Sequence, residues 1–174
     1  MVMIYLGTIE SPEEKIKFEE LYDKYRGFML KVASRVLRGE QDAEDAVHNA
    51  FMSLAKNMAL VPELDSLKLR GFLYIVTENK AVDILRERKR RDLEESLDED
   101  QPLFAPADDG EQGLAWCISR LPPRYQEVIL LKYSHGYTTR EIASILGISF
   151  AAASKLDQRA KARLKELCEK EGLL

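Results

Sequence analysis

The sequence predicts an all-α protein made of two small helical domains, and three observations support this prediction. Apolar residues recur at spacings of three and four in nearly every segment, as on one face of an α-helix. No alternating pattern of any length indicates a strand. Acidic residues, prolines and a glycine interrupt the periodicity at 92–112, which is most simply a flexible linker. We therefore expect domains at 1–91 and 113–174.

Three main helices are predicted for the first domain. The sequence SPEE (11–14) is a capping start, with serine as N-cap, proline at the first helical position and glutamate at the third. This helix is expected to stop near Gly39, and Asp42 is expected to cap the next one. The third helix begins at about Leu69 and runs into the basic sequence RERKRR (86–91).

The second domain is predicted to end in a helix-turn-helix. Two helices are expected at 114–121 and 122–135, and TTRE (138–141) is a capping box for a third. After a turn, GISFAAASKLDQRAKARL (147–164) enters a long basic helix. A helix, a short turn and a helix is the arrangement by which repressors read DNA. An ordinary helical hairpin with a solvated basic face has the same pattern.

The net charge of −4 conceals an alternation of charge along the chain. RERKRR has five cations and one anion, 92–112 has nine acidic residues and no basic ones, and 114–174 has ten basic residues against six acidic ones. A polyanionic partner responds to this local sign of charge. A solvated tail that complements the helix dipole is the alternative explanation of the RERKRR stretch.

Several classes of function are not indicated. No apolar run spans a membrane and the N-terminus lacks a basic leader, so we expect a cytoplasmic protein without a membrane partner. Cys117 and Cys168 are expected to be reduced thiols rather than metal ligands or a disulfide. No nucleophile–base pair, phosphate loop or metal spacing is present. We therefore expect no enzyme, no cofactor, no metal and no small-molecule substrate.

Two groups of side chains in the first domain are candidate binding surfaces. Phe72 and Tyr74 precede amide and charged groups on the third helix, and such combinations suit unstacked bases. Phe72 by itself is more simply a core residue. The second helix has a polar, mostly acidic face, which is either solvated or docks a protein: Asp42, Glu44, Asp45, His48 and Asn49.

In this order, the segments resemble a short, extracytoplasmic-function-like sigma factor of the sigma-70 family. DAEDAVHNAFMSLAKN (42–57) is similar to the segment that binds core RNA polymerase. RGFLYIVTENKAVDILRERKRR (70–91) resembles the one that melts and reads the minus-ten promoter element. LPPRYQEVILLKYSHGYTTREIASILGIS (121–149) resembles the helix-turn-helix that reads the minus-thirty-five element. The resemblance covers about 12–172 and implies a non-enzymatic promoter-specificity subunit.

The resemblance also implies roles by position. The acidic face of the second helix would meet the beta-prime clamp helices of polymerase, whose beta flap is a further partner, and the loop 60–69 would hold a flipped base. The candidate minus-ten contacts are Tyr74, Asn79, Lys80, Asp83, Arg86, Arg88, Lys89 and Arg90. The candidate minus-thirty-five contacts are Ser154, Lys155, Gln158, Arg159, Lys161 and Arg163. An anti-sigma protein is an additional implied partner.

Several positions depart from the family pattern, and the last helix begins Ala151-Ala152-Ala153-Ser154 where the family's recognition helix typically begins Gly-Thr-Val-Lys. Phe72 replaces a usual tryptophan, and Ile75 and Glu78 replace usual arginines. In the last helix, Leu156 stands where a cation is usual and Asp157 where an apolar residue is usual. If the apolar stripe has shifted by one position, Asp157 is exposed. It then accepts from a cytosine amino group, pairs with a lysine one turn on, or marks a helix that has drifted from DNA.

Two alternatives to a promoter-specificity subunit follow from these observations. One is a free-standing helix-turn-helix regulator, which does not need the segment 42–57. The other is a sigma-like decoy that sequesters an anti-sigma protein, which is favoured by the unusual last helix. The retained RERKRR stretch speaks against the decoy, because a decoy does not need a strand-melting helix.

Overall fold

The computed structural model describes residues 2–92 and 113–173, and the regular structure of these residues is entirely helical. This confirms the all-α prediction. The predicted acidic linker lies outside the described residues, apart from the backbone of Asp92. The chain separates into two compact units, one formed by the N-terminal helices and the other by most of the C-terminal residues. Every described helix is too short or too polar to cross a lipid bilayer.

The first unit contains four α-helices: α1 (Met3–Leu6), α2 (Pro12–Val36), α3 (Glu40–Lys56) and α4 (Leu67–Asp92). A 3₁₀ turn (Met58–Leu60) follows α3. Helices α2, α3 and α4 pack pairwise against one another, and α1 lies against α3. Their shared core is made of large side chains that are at most 1% exposed: Phe18, Leu21, Met29, Phe51, Leu69, Phe72 and Leu73.

Helices α2 and α3 begin in different ways. The predicted cap of α2 is confirmed, because Ser11 Oγ accepts a hydrogen bond from the Glu14 N–H at 3.4 Å. The predicted cap of α3 is wrong, because Gly39 is its N-cap and makes no side-chain hydrogen bond. Asp42 lies within the first turn instead. Its Oδ1 accepts from Nη2 of Arg88 in α4 at 2.5 Å, so the carboxylate joins two helices.

The second unit contains α5 (Leu114–Ser119), α6 (Pro123–Ile129), α7 (Thr139–Leu146) as far as Ser144, and α8 (Phe150–Lys170). Residues 122–135 were expected to be one helix, but a π-helical turn (Leu130–Ser134) replaces its end. Helix α8 packs on α5 and α6. Leu121, Tyr125, Ile129 and Ala160 form a buried cluster there, against which partly buried apolar residues pack: Ile118, Leu156, Leu164 and Leu167.

Local sequence sets the boundaries of α7 and α8. Thr138 Oγ1 accepts from the Glu141 N–H at 3.3 Å, and Glu141 Oε2 accepts from the Thr138 N–H at 2.7 Å, which confirms the capping box. Because the Thr138 backbone N–H and hydroxyl donate to it, the pKa of Glu141 is lowered. Gly147 has a φ of +68°, which favours glycine. Ser149 then caps α8, so the predicted helix, turn and helix are all present.

Candidate functional site

Helix α4 has most of its buried residues in its first half and becomes more exposed toward its C-terminal end. Phe72 is 1% exposed, which confirms it as a core residue. From Asn79 onward, the candidate minus-ten residues are generally more exposed toward the C-terminal end of the helix. Asn79 is buried, Lys80, Asp83, Arg86 and Lys89 are half-buried, and Arg88 and Arg90 are exposed. The apolar first half of the helix therefore packs in the core and holds the charged C-terminal end at the surface.

Two candidate minus-ten residues, Tyr74 and Asn79, are not freely accessible to DNA in the folded unit. The hydroxyl of the half-buried Tyr74 donates a hydrogen bond to Glu78 Oε1 at 3.0 Å. Burial, followed by the Glu78 charge, raises the pKa of Tyr74 to about 12, and burial raises the pKa of Glu78. Asn79 is 1% exposed. Its role as a base contact stays a prediction, and that role requires a change that exposes the amide.

The face of α3 that was assigned to polymerase binding is only partly accessible. Glu44, Asp45 and Asn49 are exposed, and His48 is half-buried. Asp42 is 7% exposed, so its carboxylate serves the Arg88 pair more than the surface. The accessible part of this face is therefore narrower than the sequence pattern suggests.

An N-terminal residue that no sequence pattern singles out supports His48. Tyr5 of α1 is 2% exposed, and its hydroxyl lies 2.7 Å from His48 Nδ1. Its ring packs among three other aromatic rings, those of Phe18, Tyr22 and Phe51. Nothing in the sequence links Tyr5 to a residue 43 positions away. The contact fixes the imidazole at the edge of the candidate polymerase-binding face.

The loop that was assigned to a flipped base is tethered to α2. Lys17 Nζ donates to the Val61 carbonyl at 2.9 Å and lies 3.1 Å from Glu63 Oε1. The groove beside the loop is rich in carboxylates, from Glu13, Glu14, Glu20, Glu63 and Asp65. Such a groove disfavours a phosphate backbone. The base-holding role of the loop stays a prediction.

The exposed face of α8 carries most of the candidate minus-thirty-five residues. Lys155, Gln158 and Arg159 are exposed and spaced by three and four, so they lie on one side of the helix. Ser154 is half-buried, whereas Lys161 and Arg163 are exposed. Arg163 Nη1 donates to Glu166 Oε2 at 2.7 Å. A continuous polar stripe is thus available to a ligand.

Asp157 is buried, and the expectation that it is exposed is wrong. It is only 5% exposed. Its Oδ2 accepts from Lys132 Nζ at 2.5 Å and lies 3.5 Å from Lys161 Nζ. Its Oδ1 accepts from the Tyr133 hydroxyl at 3.3 Å. Of the three explanations for Asp157, pairing with Lys161 is the one that this geometry supports.

The inward stripe of α8 has therefore kept its position. Ala153, Asp157 and Ala160 are spaced by four and three, and all are buried. A carboxylate in such a position needs a cation and hydrogen bonds to offset its lost hydration. Lys132 provides them from the π-helical turn, where its ammonium also lies 3.4 Å from Thr139 Oγ1. A paired charge replaces the apolar contact usual at this position.

Two family descriptions match the chain, Sigma-70 region 2 over residues 21–91 and Sigma-70, region 4 over residues 114–164. The chain belongs to the sigma-70 family. It is a sigma factor of the extracytoplasmic-function type, which directs RNA polymerase to promoters and is not an enzyme. The match to region 2 covers helices that a free-standing helix-turn-helix regulator does not need, and it sets that alternative aside.

This sigma factor is similar to two proteins of Bacillus subtilis. It is 24% identical over 161 residues to RNA polymerase sigma factor SigZ, covering 88% of each chain. It is 27% identical over 156 residues to ECF RNA polymerase sigma factor SigM, covering 86% of this chain and 93% of that one. It is also similar to sigma factor RpoE of Bartonella quintana, solved in complex with the anti-sigma factor NepR. That match has a TM-score of 0.41 and 22% identity, and it covers 87% of this chain and 96% of the other.

The Asp157–Lys132 pair generates a stability prediction. Asp157→Ala is expected to lower the free energy of unfolding by about 1–3 kcal/mol, because it leaves a partly buried ammonium without its nearest carboxylate. The double variant Asp157→Leu with Lys132→Met is expected to be neutral or stabilising, since it removes both charges and fills the space. Urea denaturation of the full chain measures both. Equal destabilisation by the single and double variants would contradict the pairing.

Proposed function

We propose that the sigma factor holds core RNA polymerase through α3 and reads promoter DNA with α4 and α8. The observation that carries the proposal is the exposed stripe of Lys155, Gln158 and Arg159 on the second helix of a helix-turn-helix. A helix of this kind enters the major groove, where base edges have distinct donor and acceptor patterns. The family match to region 4 supports the same assignment.

The chemistry of α8 suggests how its contacts are divided. Arg159 is suited to the two acceptors of a guanine, and Gln158 to the donor and acceptor of an adenine. Lys155, Lys161 and Arg163 are suited to phosphates, which position the helix without reading sequence. Ser154 is suited to a contact with either a base edge or a phosphate. Asp157 is assigned no contact with DNA, because it is buried.

In the first unit, we assign the minus-ten contacts mainly to the accessible end of α4. Four of these residues are half-buried at its surface, namely Lys80, Asp83, Arg86 and Lys89. Arg90 is exposed. Cations along a helix attract the phosphates of an opened strand. Tyr74 and Asn79 are proposed to join them only after the unit rearranges.

On α3, we assign polymerase binding to Glu44, Asp45 and Asn49, with His48 at their edge. These residues are accessible, and their carboxylates suit basic residues of a partner. Asp42 supports this surface from below. Core polymerase would also fix the separation of the two DNA-reading units, so two weak contacts act together on one promoter. We place this activity in the cytoplasm, with an anti-sigma protein as a candidate regulator.

Run-off transcription with core polymerase over a random promoter library tests the proposal. The wild-type sigma factor is expected to enrich two separated sequence elements. Arg159→Ala is expected to lose about 1–3 kcal/mol of discrimination at one upstream base pair, because it removes a bidentate contact. Lys165→Ala, an exposed change outside the stripe, is the control. A wild-type library without enrichment would sink the function, and an unchanged Arg159→Ala library would sink that contact.

Core-polymerase binding can be tested on the accessible part of α3. Glu44→Lys with Asp45→Lys is expected to weaken binding by about tenfold or more, because each change replaces an attractive charge with a repulsive one. Glu19→Lys with Glu20→Lys makes the same charge change on exposed residues of α2 and is the matched control. Fluorescence anisotropy with labelled sigma factor measures both affinities. The assignment fails if the two double variants bind core polymerase equally well.

A further inference from the structure

The basic end of α4 presents two different faces. Along one face, residues spaced by three and four line a cleft of about 280 Å³ together with residues of α3. The α4 residues of the cleft are Ile84, Glu87, Arg88 and Arg91, and the α3 residues are Asp42, Asp45, His48 and Asn49. Arg86, Lys89 and Arg90 have the same spacing but lie outside the cleft. The RERKRR stretch is thus two sets of cations rather than one.

The charges of the cleft disfavour DNA. It contains three carboxylates, those of Asp42, Asp45 and Glu87, against the guanidinium groups of Arg88 and Arg91. Arg88 pairs with Asp42 at 2.5 Å, and Arg91 pairs with Glu87. A phosphate backbone would meet a net negative surface whose cations are already compensated. A protein surface with charges of both signs is the better complement.

Two cations of the other set, Lys89 and Arg90, differ in this respect. Within the part of the chain that the structure describes, neither Lys89 nor Arg90 has an acidic partner within 4.0 Å. Arg90 is exposed and Lys89 is half-buried. Cations without compensating carboxylates keep their full attraction for phosphates. The two faces of the helix end are therefore suited to different partners.

We infer that the polymerase-binding surface crosses the cleft from α3 onto α4, so that Glu87, Arg88 and Arg91 contact core polymerase. Arg86, Lys89 and Arg90 are left for the minus-ten strand. This inference rests on the proposed function and changes the assignment of Arg88. It gives one rigid helix a separate face for each partner. Polymerase binding then fixes the direction in which the DNA-binding cations point.

Two charge reversals on the same helix test this division. Arg88→Glu and Arg90→Glu change exposed residues two positions apart by the same charge. Two affinities are measured for each variant. The first is that of labelled sigma factor for core polymerase. The second is that of holoenzyme, assembled with saturating sigma factor, for a single-stranded oligonucleotide that carries the minus-ten sequence selected by the wild type.

Arg88→Glu is expected to weaken core binding by about tenfold and to leave oligonucleotide binding within about twofold. Arg90→Glu is expected to do the reverse. The inference is overturned if Arg88→Glu leaves core binding unchanged. It is also overturned if the two variants weaken core binding equally and oligonucleotide binding equally. If the wild type itself does not bind core polymerase, the proposed function fails and this inference fails with it.

Further variants separate contact from folding. Asp42→Arg with Arg88→Glu rebuilds the ion pair but not the surface charge at position 88. It is expected to unfold at the wild-type temperature and still to bind core polymerase weakly. Recovery of wild-type binding would show that core binding needs only the ion pair between positions 42 and 88, which overturns the contact from Arg88. If Arg88→Glu fails to fold, Arg91→Glu decides the question by the same two affinities.

Discussion

The first unit depends on the packing of α4 between α2 and α3. The apolar first half of this helix supplies much of the shared core, including Leu69, Phe72 and Leu73. The helix then continues without a break into the charged end. A rigid helix transmits the orientation set by its buried half to its exposed half. The buried half of the helix therefore sets the sides of α4 on which Arg88 and Arg90 lie.

In the second unit, the charged residue Asp157 lies among the inward-facing residues of α8. Asp157 lies in the inward stripe of α8, and the π-helical turn brings Lys132 within 2.5 Å of it. Such a pair contributes little net stability but is costly to break. It also holds Lys161 and Tyr133 close to the same carboxylate. The Ala-rich start of α8 is thus compatible with a helix whose polar stripe is intact.

Sequence reasoning recovers the parts of this molecule that local rules govern. Periodicity and capping signals identified the helices and the helix-turn-helix, since Ser11, Thr138 and Glu141 act on residues within one turn. Sequence reasoning failed where residues distant in the chain decide the environment of a side chain. The pairs Asp42–Arg88 and Lys132–Asp157 join residues 46 and 25 positions apart. Without those partners, Asp42 reads as a cap and Asp157 as an exposed anion.

The same limit explains why Arg86, Arg88, Lys89 and Arg90 of the RERKRR stretch are predicted together as minus-ten contacts. A sequence shows five cations within six positions, but only the position of α3 shows which of them lie beside carboxylates. The spacing of three and four was visible in the sequence. The face that meets α3 was not, because the packing angle of two helices is a property of their side chains in three dimensions.

Site-specific photocrosslinking in an open promoter complex tests the division of α4 most directly. A photocrosslinking amino acid in place of Glu87 and, in a second variant, in place of Arg90 reports the neighbour of each face. We predict that position 87 crosslinks to a large subunit of core polymerase and position 90 to the opened minus-ten strand. Crosslinks from both positions to DNA would contradict the account.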